Sequence, residues 1–123
     1  MTIANTGVTD LDGLTRLQEV GGNFNIANNT AMADMDALDL LFQVNGTVIV
    51  ANNSVLTSIS GLDELGCVDV AVHITANPEL DSIRGFNSLA GAQCNGADEP
   101  VFWTCAFFFR FGFPVFPRGC SLW

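Results

Sequence analysis

The chain has no lysine and no tyrosine, one histidine and only four arginines among 123 residues. With thirteen acidic residues its formal charge is −9, so the basic footprint of a nucleic-acid binder is missing. The same charge opposes electrostatic attraction to anionic lipid. Charged residues are scarce at 14% while apolar residues reach 49%, a balance that excludes intrinsic disorder. No apolar run reaches the roughly 18–20 residues of a membrane-spanning helix, because Arg110, Pro114 and Pro117 interrupt the nearest candidate, Val101 to Pro117. No charged segment followed by an apolar stretch opens the chain, so no secretory signal is visible in it. Cys67, Cys94, Cys105 and Cys120 form no C-x-x-C pair, which argues against a structural zinc site or a thioredoxin-like motif. Both disulfides and free thiols remain open for them. There is no G-x-S-x-G, G-x-G-x-x-G, Walker loop or H-E-x-x-H, so the expectation is a protein without catalytic activity.

What the chain does have is internal repetition. Asn29, Asn53 and Asn77 stand 24 residues apart, and the same step relates Met32, Leu56 and Leu80, then Met35, Ile59 and Ile83. Further columns are Leu38, Leu62 and Phe86; Leu41, Leu65 and Leu89; and Val44, Val68 and Ala92. Ile26, Val50 and Ile74 open the units, preceded by Phe24, Val48 and Val72. A first copy runs through Ile3, Leu11, Leu14, Leu17 and Val20, one residue short between Ile3 and Leu11, a deletion expected in a turn.

An amphipathic helix needs apolar residues at spacings of three and four in alternation. Here the spacing is a stricter three, with Gly, Asn or Pro inside the unit, and the V-x-I segment alternates like a strand. Residues three apart therefore mark successive inward positions around a short coil. One coil cannot bury its own apolar face, but stacked coils can. The expected fold is all-β, a solenoid of about four 24-residue leucine-rich coils spaced by about 4.8 Å. It should occupy residues 1–92, leaving an irregular aromatic tail at 93–123. The asparagine column fits a turn whose amide bonds the local backbone and the equivalent Asn of the next coil.

The units F-N-I-A-N-N-T-A-M-A-D-M-D-A-L-D-L-L-F-Q-V-N-G, V-I-V-A-N-N-S-V-L-T-S-I-S-G-L-D-E-L and V-H-I-T-A-N-P-E-L-D-S-I-R-G-F-N-S-L resemble receptor L domains. These are the leucine-rich, right-handed β-solenoid modules of insulin- and EGF-receptor ectodomains and of microbial surface proteins. The resemblance spans Thr2 to Ala92. It implies an extracellular or cell-surface location and a protein or peptide ligand, and it transfers no catalytic residues.

Strand alternation places one row of side chains on an outer face. Asn25, Ile49 and His73 follow Thr2, with Ala27, Ala51 and Thr75 following Ala4 alongside. Small, mildly apolar residues make a flat face suited to protein contact, and these six are the candidate binding residues. His73 is otherwise an ordinary exposed histidine. On a second face, Asp10/Asp12 and Asp34/Asp36 flank inward Leu11 and Met35, as Ser58/Ser60 and Ser82/Arg84 flank Ile59 and Ile83. Read as strands, both members of each pair point outward. The four aspartates then form a solvated acidic surface or, more weakly, a calcium site or a dock for a basic partner. No other cofactor is expected.

Asn28, Asn45 and Asn52 lie in N-x-[ST] sequons, but Asn28 and Asn52 are equivalent positions in adjacent coils, where two glycans would crowd. Nine of the twelve aromatics follow position 100. That tail reads as a cap over Ile83, Phe86 and Leu89, as a membrane-interface anchor if it is native sequence, or as a foreign end. Self-association through uncapped coil edges is a further expectation, and a self-associating structural solenoid is the rival to a recognition module.

Overall fold

The computed structural model of the protein describes residues 1–83, 94 and 102–105. Its strands are β1 (Thr2–Ala4), β2 (Glu19–Val20), β3 (Phe24–Ala27), β4 (Gln43–Val44), β5 (Thr47–Ala51), β6 (Ser58–Ile59), β7 (Cys67–Val68), β8 (Ala71–Thr75), β9 (Ser82–Ile83) and β10 (Phe102–Cys105). They form three sheets, in the orders β1-β3-β5-β8-β10, β2-β4-β7 and β6-β9. Every pairing is parallel. Parallel neighbours need a long connection between them, and here that connection is the rest of one coil rather than a helix. The molecule is a β-solenoid.

Phe24 pairs with Val48 and Val48 with Val72, which sets the 24-residue step in the first sheet. Four passes through that sheet, by β1, β3, β5 and β8, enclose about three turns, not the four coils expected from the sequence. The fourth copy does not complete a 24-residue turn, since the chain next enters that sheet at β10, 31 positions after β8, and Phe86, Leu89 and Ala92 lie outside the described residues. The one-residue deletion also has a place. Asn29 accepts from the Thr6 N–H across 23 positions, while Ala33 donates to the Thr9 carbonyl across 24, so it falls in the turn between Thr6 and Thr9.

The repeating columns point inward. Met32, Met35, Leu38, Leu41, Val44, Val48 and Val50 are fully buried, as are Leu56, Ile59, Leu62, Leu65, Val68, Val72 and Ile74. Burying each such side chain contributes about 1.5–3 kcal/mol. In the end coil, Ile3, Leu14 and Leu17 are only partly buried, because they are covered from one side. At Gly46 and Gly61 the coils approach too closely for a side chain, and Gly61 is the tighter. A Cβ there would strike the Met35 carbonyl oxygen and lie 2.7 Å from the Asp36 Cα.

The third side departs from expectation. The aspartate pairs do not sit on strands: Asp12–Leu14 and Asp36–Leu38 are single-turn 3-10 helices. Asp10 Oδ1 accepts from the Asp12 N–H at 3.1 Å, and Asp34 Oδ1 accepts from the Asp36 N–H at 3.3 Å. An acidic side chain bonding two residues ahead winds the backbone into a turn, which removes the alternation of a strand. Only β6 and β9 keep the extended form on this side.

The corner after the first sheet carries the asparagine column. Asn29, Asn53 and Asn77 are buried. Asn53 Oδ1 accepts from the Asn29 N–H at 3.1 Å, and Asn77 Oδ1 from the Asn53 N–H at 3.0 Å. Their amide groups donate backwards, Asn29 to the Ile3 carbonyl, Asn53 to Ile26 and Asn77 to Val50, at 2.9, 3.2 and 2.9 Å. Each asparagine thus satisfies one N–H and one C=O of the coil before it. The turn conformation itself falls one residue earlier. Asn5, Asn28, Asn52 and Ala76 have φ of 57°, 56°, 56° and 53°, the left-handed region. Asparagine adopts it readily, whereas alanine there costs on the order of 1 kcal/mol.

The tail rejoins the stack. Trp103 pairs with Val72 and Thr104 with His73, so β10 extends the first sheet 31 positions after β8 rather than 24. β10 is thus the neighbour of β8 in the first sheet. The proposed cap contacts at Phe86 and Leu89, and residues 106–123, lie outside the described residues.

Leu62→Ala should cost about 2–5 kcal/mol as a truncation in a closed core. Asn53→Ala should cost about 2–4 kcal/mol by stranding the Asn29 N–H and the Ile26 carbonyl. Ala76→Asn should instead stabilise by about 1 kcal/mol. Denaturant melts of the three variants would give these differences, and a destabilised Ala76→Asn would contradict the left-handed corner.

Candidate functional site

The first sheet gathers the six candidate binding residues into two straight rows. Asn25 on β3, Ile49 on β5 and His73 on β8 are register partners, flanked by Thr2 on β1 and Thr104 on β10. Ala27, Ala51 and Thr75 form the parallel row, flanked by Ala4. Alternation along β5 explains the orientation: Val48 and Val50 are buried while Thr47, Ile49 and Ala51 are half-exposed. Side chains stacked in register shield one another, so Asn25, Ile49, His73, Ala51 and Thr75 are half-buried rather than exposed. Ala27 departs from the expected exposed position, retaining only 9% of its surface, because a methyl group between Ala4 and Ala51 presents almost nothing to solvent. His73 is likewise half-buried in its row.

Among the described residues, one buried side-chain polar atom has no partner. Asn25 Oδ1 is buried and accepts no hydrogen bond. A buried acceptor left unpaired costs about 1–3 kcal/mol, so the position is not explained by the stability of the fold. Sequence reasoning placed Asn25 in the row but gave no sign that its carbonyl would be covered.

The acidic residues are used differently from the cation reading. Asp10 and Asp34 are occupied as turn caps, Asp10 also accepting from the Thr9 hydroxyl at 3.1 Å. Asp36 Oδ1 accepts from the Ser60 hydroxyl of the next coil. Among the described residues no group of three or more His, Cys, Asp or Glu side chains could hold a metal ion. Asp10 and Asp34 therefore form turns through their carboxylates, and Asp12 and Asp36 open the 3-10 helices that follow. Through its bond to Asp36, Ser60 bridges two adjacent coils.

A covalent link on the second sheet was undetermined by the sequence. Cys67, on β7, is disulfide-bonded to Cys94 with a Cα–Cα distance of 5.0 Å and 27 positions between them. The Cys94 N–H donates to Asp69 Oδ1 at 2.8 Å, holding the same segment. Widely spaced cysteines carry no pairing signal of their own; only the stacking of coils brings these two within reach. The bonding of Cys105 and Cys120 lies outside the described side chains. Among the described residues no helix is long and apolar enough to cross a membrane.

Comparison of the chain with protein-family models, with curated proteins and with solved structures finds no match.

Closing the loop between Cys67 and Cys94 should contribute about 3–4 kcal/mol through the lost entropy of the unfolded chain. Cys67→Ser and Cys94→Ser should each show that loss in denaturant melts, and a reducing agent should lower the wild type to the same level. An unchanged midpoint under full reduction would show that the link adds nothing.

Proposed function

We propose that the protein is a non-catalytic recognition module for a protein or peptide ligand, part of a cell-surface or secreted protein and akin in its coil pattern to receptor L domains. The observation that carries this reading is the flat outer face of the first sheet, with Asn25, Ile49 and His73 in one straight row across three strands. A protein partner lies well on such a face, because small and mildly apolar side chains can be desolvated without stranding charges. Asn25 Oδ1, covered in the free chain, becomes the acceptor for a ligand donor once the side chain turns outward. The face then gives up some stability in the free chain in exchange for a directed hydrogen bond in the complex.

The disulfide supports the location. Disulfides persist in oxidising compartments and are rare where thiols are kept reduced, so Cys67–Cys94 suits a secreted or surface-exposed chain. The charge of −9 with no lysine suits a solvent-exposed module that does not engage nucleic acid.

The rival reading, a solenoid that stacks end to end with other copies, finds less support. In the first coil the ladder position is Thr6, not asparagine. Its N–H and its hydroxyl both donate forward to Asn29 Oδ1, at 3.1 and 2.8 Å. Thr6 has no amide to reach back to a preceding coil, so the ladder ends there chemically.

Asn25→Val tests the reading from both sides. Valine suits a strand and removes the unpaired carbonyl, so the free chain should gain about 1 kcal/mol in a denaturant melt. Peptides selected from a displayed library on the wild-type chain should bind this variant and Ile49→Glu at least tenfold more weakly. Selected peptides that ignore both substitutions would place recognition elsewhere, and a destabilised Asn25→Val would mean the side chain serves the fold.

A further inference from the structure

We propose that the corner bearing Asn28 and Asn52 is a site of N-linked glycosylation, and that Asn45, in the third sequon, is not. The proposal rests on the surface reading above, since such glycans are added in the secretory lumen.

Asn28 and Asn52 are exposed, each with φ of 56°, at equivalent points of adjacent coils. Their backbone N–H groups are already paired, to the Ala51 and Thr75 carbonyls at 3.0 and 3.2 Å. Among the described residues neither side-chain amide makes a hydrogen bond. The fold accounts for asparagine here through the left-handed backbone, and for Asn29 and Asn53 through the buried ladder. It does not account for the hydroxyl two residues on. Thr30 and Ser54 are exposed and bond nothing among the described residues, yet each completes the N-x-[ST] signal. The first and fourth coils keep the turn without the signal, reading Asn5-Thr6-Gly7 and Ala76-Asn77-Pro78.

Asn45 has the opposite surroundings. It is half-buried, its Oδ1 accepts from Gln43 Nε2 at 2.6 Å, and its Nδ2 donates to Glu19 Oε1 at 3.4 Å. A sugar on that nitrogen would break the second bond and press on the second sheet.

The donor is a lipid-pyrophosphate-linked oligosaccharide. The Asn Nδ2 forms a bond to the anomeric carbon, the bond from that carbon to the pyrophosphate oxygen breaks, and the lipid pyrophosphate leaves with the electron pair. The amide proton goes to a base of the transferase. Because the middle residues Asn29 and Asn53 are buried in the ladder, transfer takes place while this exposed corner is locally open and the second sheet around Asn45 is closed. The close stacking of Asn28 on Asn52, at about 4.8 Å, crowds two glycans but leaves one unhindered.

The test expresses the full chain behind a cleavable secretion leader in eukaryotic cells, with intact mass and endoglycosidase digestion as readouts. The wild type should carry at least one glycan. Thr30→Ala and Ser54→Ala should each retain one, their combination should carry none, and Thr47→Val should match the wild type. These alanines replace exposed side chains without bonds, and formation of Cys67–Cys94 reports folding of each variant. A wild-type chain with the disulfide but no glycan overturns the proposal and leaves the surface reading standing. A glycan retained in the Thr30→Ala/Ser54→Ala chain overturns it as well. A chain with neither disulfide nor glycan overturns both.

Discussion

The buried asparagine column is the interaction on which the remaining structure depends. A solenoid coil must turn sharply at its corners, and there the backbone leaves the sheet and loses its ladder partners. Buried N–H and C=O groups without partners are costly, so the corner is the weakest point of the design. Asn29, Asn53 and Asn77 solve this by each taking one N–H and one C=O from the coil before. Such a bond forms only if consecutive asparagines are one coil apart in space. The ladder thereby holds the coil length at 24 residues, and every inward column inherits the same step.

A division of labour between adjacent residues makes the corner work. The residue before each ladder asparagine takes the left-handed backbone, and the ladder residue takes the hydrogen bonds. Asparagine suits both tasks for different reasons: its short amide stabilises left-handed turns locally, and the same amide offers a donor and an acceptor at one point. The bonds to the backbone also have a direction, each asparagine taking its backbone partners from the preceding coil. Thr6, which donates forward only, brings the column to its end in the first coil.

Function follows from this regularity by geometry. Once the coil length is constant, outward residues at the same position of each coil must fall in straight rows, and Asn25, Ile49 and His73 do. The period shortens by one residue between β1 and β3 and lengthens where β10 joins the first sheet 31 positions after β8. The chain between these strands contains Cys94, whose bond to Cys67 ties that longer excursion back to the second sheet. A covalent link is well placed where the repeating columns no longer specify the packing.

The parallel coils, the inward columns and the two outer rows were legible from the residues alone. A 24-residue step in seven apolar columns has few physical solutions, because only stacked coils bury them all. The sequence likewise determined the ladder, since asparagine recurring at one turn position has a partner only in its own copies. Other features depended on which atoms meet in three dimensions. Asp10 and Asp34 sit beside inward residues as strand residues would, yet their carboxylates turn the backbone into 3-10 helices. Apolar spacing is blind to that competition between side chain and strand. The pairing of Cys67 with Cys94, the return of Phe102–Cys105 to the first sheet and the covered carbonyl of Asn25 were decided by tertiary structure alone. Each involves a contact between segments that share no periodic relation, and a repeat can specify only what it repeats.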